Sequence, residues 1–337
     1  MSAYILDARR NQPQPEWVSV IASELDLVEC KLETTVTSDV PVAFDLSIHL
    51  FSAGGKRIRP VLTILSALAS GDNVDIDRVI NLAVATELVH TASLVHDDVV
   101  DETKERRGVS TANNEWGNKL SVLGGDFLLS KGFSLLASDG DADVLRVLSS
   151  TAVKMTESEI LQAASEGSLA SWEREYWRII DGKTAAFMGA CCECGAILTR
   201  AGSDLRRALS EYGTQLGIAF QITDDLLDIA GNPAQTGKDI GTDLTNGKFT
   251  LPVLLALRNM NEDDRRDLLS SVQGGSLARE DARRIAKLVA DCGAVEMARE
   301  VACNHAKNAC EQLADVRPSE YKSALEALAS SVINRDV

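Results

Sequence analysis

A chain of 337 residues allows one large domain or two ordinary ones and is long enough for a sizeable core. Hydrophobic residues at 45% and charged residues at 25% exclude wholesale disorder, and no run of about 18 apolar residues reads as a membrane span. Thirty-four basic against fifty acidic residues leave a formal charge of −16, which excludes a general nucleic-acid role because phosphate backbones attract Lys and Arg surfaces. Met1 to Arg10 has neither a long apolar stretch nor an Arg/Ser-rich amphipathic pattern, so no targeting segment is expected and the expected compartment is the cytoplasm. Seven scattered cysteines, an odd number, suit a reducing environment.

In chain order, residues 1–12 are expected to fray. Gly54-Gly55-Lys56-Arg57-Ile58-Arg59-Pro60 sets three cations beside two permissive glycines at a helix start that tolerates proline, a candidate anion site. It is no Walker A loop, since Arg57 follows the lysine where a hydroxyl would be needed. Between Val61 and Asn232 there is no proline, and apolar residues recur at three- and four-residue intervals in 61–69, 79–100, 120–137, 143–163, 172–200 and 204–230. Gly/Asp/Ser punctuation separates these segments, so the expected fold is all-α, one domain over 1–337, with no sheet. Segments 79–100 and 212–230 are apolar nearly all round, the mark of central helices. Cys191, Cys192 and Cys194 lie in an Ala/Gly-rich apolar run without a second metal-binding half and read as buried small hydrophobes. From Glu262 onward the chain is more charged and reads as an outer helical layer.

Both central helices end in acids: Asp97, Asp98 and Asp101 close the first, Asp224, Asp225 and Asp228 the second. Residues one turn apart share a face, so the carboxylates repel unless a cation lies among them. Magnesium between the two clusters would suit hard oxygen ligands and keep positions open for substrate phosphates. A third such cluster, Asp263, Asp264 and Asp267, has Arg265 and Arg266 in its gaps and polar neighbours, and reads as solvated surface. Arg106, Arg107, Lys238 and Lys248 follow the first two clusters and supply cations for phosphate oxygens. His90 lies seven residues before Asp97, while Lys183, Thr184 and Gln221 are polar groups within apolar helices.

Taken together, the Gly54–Pro60 segment, His90 to Glu102 with Arg106-Arg107-Gly108, Gly182-Lys183-Thr184, and Phe220-Gln221 to Asp228 resemble the trans-type isoprenyl diphosphate synthases, or polyprenyl synthetases, in order and spacing. The resemblance covers most of the chain. It implies an all-helical fold around a central cavity, a homodimer, and three magnesium ions holding an allylic diphosphate. It also implies that Asp97, Asp101 and Asp224 are the main metal ligands, with Asp98, Asp225 and Asp228 supporting. Arg106, Lys183 and Lys238 would hold the allylic diphosphate, and Lys56, Arg59, His90 and Arg107 the isopentenyl diphosphate. Thr184 and Gln221 would face the reacting carbons.

The chemistry expected from this resemblance is ionisation of the allylic diphosphate, attack by the isopentenyl double bond and proton loss, with water excluded. The phrase His90 to Glu102 is closest to long-chain octaprenyl or solanesyl synthases that serve quinone side chains, with products of about eight units passed to a membrane enzyme. Ala92, Ser93 and Val89 leave room where short-chain members carry an aromatic floor, although geranylgeranyl- or farnesyl-length products stay open. Two further alternatives are a terpene cyclase, which normally replaces the second acid motif, and a non-catalytic subunit of a heteromeric synthase, expected to have lost one cluster.

Overall fold

Helix follows helix through the proline-free stretch, as the three- and four-residue apolar spacing requires. The computed structural model describes residues 16–52, 54–72, 74–106, 108–231, 239–272, 275 and 277–333; the expected fraying of 1–12 lies outside them. A 3₁₀ turn, Glu16–Ile21, precedes α1 (Ala22–Thr35), α2 (Pro41–Ser52), α3 (Ile58–Ser70), α4 (Ile76–Val100) and α5 (Ala112–Asp139). Then come α6 (Ala142–Ser165), α7 (Leu169–Ile180), α8 (Ala186–Leu198), α9 (Ser203–Ala230) and the short α10 (Thr242–Thr245). Next come α11 (Leu251–Asn259), α12 (Glu262–Val272), α13 (Arg279–Asp291), α14 (Ala294–Gln312) and α15 (Glu320–Ile333). The fold is all-α. One small correction concerns the sheet: Glu105–Arg106 pairs antiparallel with Val109–Ser110, Gly108 supplying a positive φ of 74° in the turn.

The described residues fall into two compact units, one drawn from 16–147, 191–209 and 315–325, the other from 148–190, 210–314 and 326–333. In the first, α4 packs against α1, α3 and α5, and nearly every residue from Val79 to Val89 is buried. Asp75 caps its start by accepting the Arg78 amide at 3.3 Å. Arg57, in the left-handed region at φ 49°, donates to Glu29 of α1 at 2.8 Å and to Glu87 of α4 at 3.0 Å, all three side chains being buried. Burial works against the charge of Arg57, yet Glu87 and Glu29 outweigh it and hold the guanidinium above its ordinary value. Arg57 therefore fastens α1, the start of α3 and α4 together, which corrects the reading of 56–59 as three cations for one anion.

The apolar character of α4 and α5 also amends the sequence reading. By length and composition both could cross a membrane, with mean hydropathies of 1.2 and 1.3. The α4 window is 72% buried inside the protein and the α5 window 33%. Val122 and Leu123 of α5 are exposed. Segment 120–137, predicted from periodicity, begins late because Gly117, at φ 75° and ψ 162°, breaks the helical course of α5.

The core of the second unit gathers Trp172, Tyr176, Ile179, Ile222, Leu226, Phe249 and Leu251 with apolar residues of α11, α13 and α14. The predicted single helix 172–200 is interrupted by a π turn, Asp181–Ala185. Such turns are rare and concentrate at functional sites. A Cβ on Gly182 would meet Ser158 Cβ at 2.6 Å, and one on Gly217 would meet Ala185 Cα at 2.5 Å. Glycine at these two positions lets α6 and α9 close on the π turn.

Candidate functional site

In the first unit the acid cluster sits at the C-terminal end of α4, where the helix dipole disfavours negative charge and no basic residue stands in the last turn. Asp98 is buried and its carboxylate receives Arg106 Nε at 3.0 Å and Nη2 at 2.8 Å, a forked clasp. The hairpin that carries Arg106 is tied down by Asn113 Nδ2, which donates to the Asp98 and Thr103 carbonyls at 3.2 and 2.9 Å. Asp97 and Asp101 are part-exposed. Beneath Arg106 lies a cavity of about 50 Å³ bounded by His90, Glu87, Asp98, Gly54 and Thr91 among others. Lys56 is exposed and Arg59 part-buried in the first turn of α3, and Arg107 lies outside the described residues.

Ala92 and Val89 are 1% and 6% exposed, and the Ser93 hydroxyl donates to the His90 carbonyl at 2.8 Å. None of the three lines that cavity. Val89 instead packs on α5 at Gly132, where a Cβ would meet its Cγ2 at 3.3 Å.

In the second unit the π turn carries Lys183 and Thr184. Lys183 Nζ meets Glu159 at 2.8 Å, while Lys154 pairs with Asp181 at 2.6 Å. Thr184 donates to Gln221 Oε1 at 2.9 Å, Gln221 Nε2 donates to Asp225 Oδ1 at 3.1 Å, and the Tyr176 hydroxyl donates to Asp225 Oδ2 at 2.6 Å. Burial, followed by Asp243, raises Asp225 well above the usual carboxylate range, the Tyr176 and Gln221 hydrogen bonds opposing. Burial, followed by Asp225, likewise raises the Tyr176 phenol. Asp228 accepts the Thr242 and Asp243 amides at 3.0 and 3.1 Å, so it fastens the start of α10. Asp224 is exposed. Lys248 is buried, and Lys238 lies outside the described residues.

Sequence reasoning thus placed Thr184, Gln221 and Asp225 in one constellation but missed Tyr176, whose only signal was a polar aromatic within an apolar helix stripe. It also missed the partners that fix Asp98 and Asp228. Among the described residues no three His, Cys, Asp or Glu side chains converge as a ready metal cage. That donor set still fits magnesium, which usually takes one or two carboxylates and completes its octahedron with water and substrate phosphate. Cys191, Cys192 and Cys194 are buried free thiols, as expected; burial pushes Cys191 up to about 12 and raises the other two.

The family described as polyprenyl synthetase matches residues 41–289, which include both acid clusters. The chain belongs to the polyprenyl synthetase family. It is similar to the octaprenyl diphosphate synthase of Escherichia coli K12, at 35% identity over 94% of this chain and 97% of that one. The short chain isoprenyl diphosphate synthase of Methanothermobacter thermautotrophicus is 34% identical over 95% and 99%. Among solved structures, a Caulobacter crescentus polyprenyl synthase complexed with calcium and isoprenyl diphosphate superposes with a TM-score of 0.88, at 34% identity over 95% and 97% of the two chains. As a polyprenyl synthetase the protein is a trans-prenyltransferase. The near-equal identities to an octaprenyl and a short-chain enzyme leave product length to be argued from its own residues.

Proposed function

We propose that the protein is a magnesium-dependent synthase that adds isopentenyl diphosphate to an allylic diphosphate and makes an all-trans product of about eight units for a quinone side chain. The observation that carries the reading is the division of labour within each acid cluster: Asp98 is held by Arg106, Asp225 by Tyr176 and Gln221, and Asp228 by two amides, while Asp97, Asp101 and Asp224 reach the surface. Those three acids would hold the metal, three ions with the allylic diphosphate bound. When bound, magnesium supplies charge neutralisation to the departing diphosphate.

The chain's own residues supply the rest. Arg106, Lys183 and Lys238 bind the allylic diphosphate, Arg106 using the guanidinium edge that Asp98 leaves open, and Lys248 supplies a further cation for substrate. Lys56, Arg59, His90 and Arg107 receive isopentenyl diphosphate. Thr184 and Gln221 face the reacting carbons, and buried Ile222 and Leu226 on α9 keep water from the cluster behind them. The released diphosphate takes the proton. The small side chains Ala92, Ser93 and Val89 support a long product, and likeness to an octaprenyl synthase points the same way.

A homodimer joined through the exposed apolar residues of α5, a cytoplasmic location and passage of the product to a membrane enzyme complete the proposal. The test is to incubate the purified chain with an allylic primer, isopentenyl diphosphate and magnesium and to separate the products by chain length. Products of about eight units support the reading; four units or fewer overturn its length, and no product without a second polypeptide would recast the chain as a subunit. Ala92→Phe sharpens the length argument: shortened products place Ala92 on the path of the chain, whereas unchanged products with a melting point lowered by overpacking place it in closed helix packing.

A further inference from the structure

The hydrogen-bond chain behind Thr184 has a direction, and one end of it is fixed outside the reacting groups. Tyr176 is buried in the core of the second unit. Its hydroxyl donates to Asp225 Oδ2 at 2.6 Å. Gln221 turns its amide nitrogen to Asp225 Oδ1 and its oxygen to Thr184. The hydroxyl hydrogen of Thr184 is then engaged by Gln221.

We propose that Tyr176 is a positioning residue: through Asp225 and Gln221 it holds the Thr184 hydroxyl with its hydrogen turned inward and its lone pairs turned to the reacting carbon. Thr184 then meets an allylic cation as an acceptor and is prevented from acting as a proton donor. Without the Tyr176 hydroxyl, Asp225 keeps one donor, and both Gln221 and Thr184 gain the freedom to rotate. This rests on the prenyl-transfer reading above, since it assigns a polarity to a group that faces the substrate only in that reaction.

The test is a double-mutant cycle on the full-length enzyme with an allylic primer, isopentenyl diphosphate and magnesium. Tyr176→Phe should lower kcat about ten- to a hundredfold, the cost of leaving a buried acceptor without its donor, with both KM values within about twofold of wild type. Thr184→Val should cost a similar factor, the double variant should be no slower than Thr184→Val alone, and Thr184→Ser should keep its activity and its sensitivity to Tyr176→Phe. Losses that multiply, or a loss confined to KM, would overturn the proposal. Thermal melting of the same four proteins reads the chain without activity: destabilisations smaller together than summed support it, and simple additivity overturns it. Should wild type show no condensation, prenyl transfer itself fails, and the melting cycle still decides whether the four groups act as one chain.

Discussion

Two acid clusters in the second unit share the spelling DDxxD and little else. Asp224, Asp225 and Asp228 close the C-terminal end of α9, against the helix dipole and with no basic residue in the last turn. Asp263 and Asp264 stand in the first turn of α12, where the dipole favours them; Asn261 Oδ1 accepts both of their amides at 3.1 and 2.9 Å. Arg266 pairs with Asp263 and Arg284 with Asp267 at the surface. Carboxylates at a helix start need no further cation. Carboxylates at a helix end do, and that difference separates a binding motif from a solvated cap more sharply than the motif itself.

The comparison breaks most visibly in turnover. Asp224→Ala should lower kcat by about a hundredfold or more at ordinary magnesium, and Asp263→Ala by less than about twofold. Parity between them would remove helix polarity as the criterion. Next, Gly217→Ala should push α9 off the π turn and part Thr184 from Gln221, costing about 1–3 kcal/mol of stability by chemical denaturation along with activity. Unchanged stability would show that the close approach at Ala185 relaxes freely. For the acids themselves, Asp228→Ala strips two backbone amides of a buried acceptor and should destabilise by about 1–3 kcal/mol, against about 0.5 kcal/mol or less for the part-exposed Asp267→Ala.

The last comparison sets the scale for an ordinary ion pair, Arg78 with Asp139 in the first unit, at 2.6 Å. The Arg78 hydrogen bond holds Asp139 below its ordinary carboxylate value. Its contribution is therefore full above the unfolded value near pH 4 and is lost as pH falls through the lower native value. Asp139→Asn should cost about 1 kcal/mol at neutral pH, and the gap to wild type should narrow on acidification below about pH 4; a pH-independent gap would assign it to packing.

Much of this was legible in the sequence because helices and acid clusters are written in local spacing. The all-round apolar character of 79–100 and 212–230 foretold their burial, and the order and spacing of the motifs foretold the family. What escaped depends on contacts between distant segments. Tyr176 meets Asp225 across 49 positions, and Arg57 meets Glu29 and Glu87 across 28 and 30, with nothing in the neighbouring letters to announce it. The π turn escaped for a different reason: its 181–185 residues keep the same apolar rhythm as the helices on either side, and Gly182 was the only hint.

The thiols of α8 give the first unit a built-in clock. Cys191, Cys192 and Cys194 are fully enclosed and their thiolates are suppressed by burial, while Cys30 on α1 is exposed. A thiol reagent reacts with the thiolate, so Cys30 is labelled at the speed of the reagent and the α8 group only at the speed with which the surrounding helices part. The interval between labelling of Cys30 and of the α8 thiols, followed peptide by peptide by mass, reads the opening rate of this region in the unmodified protein.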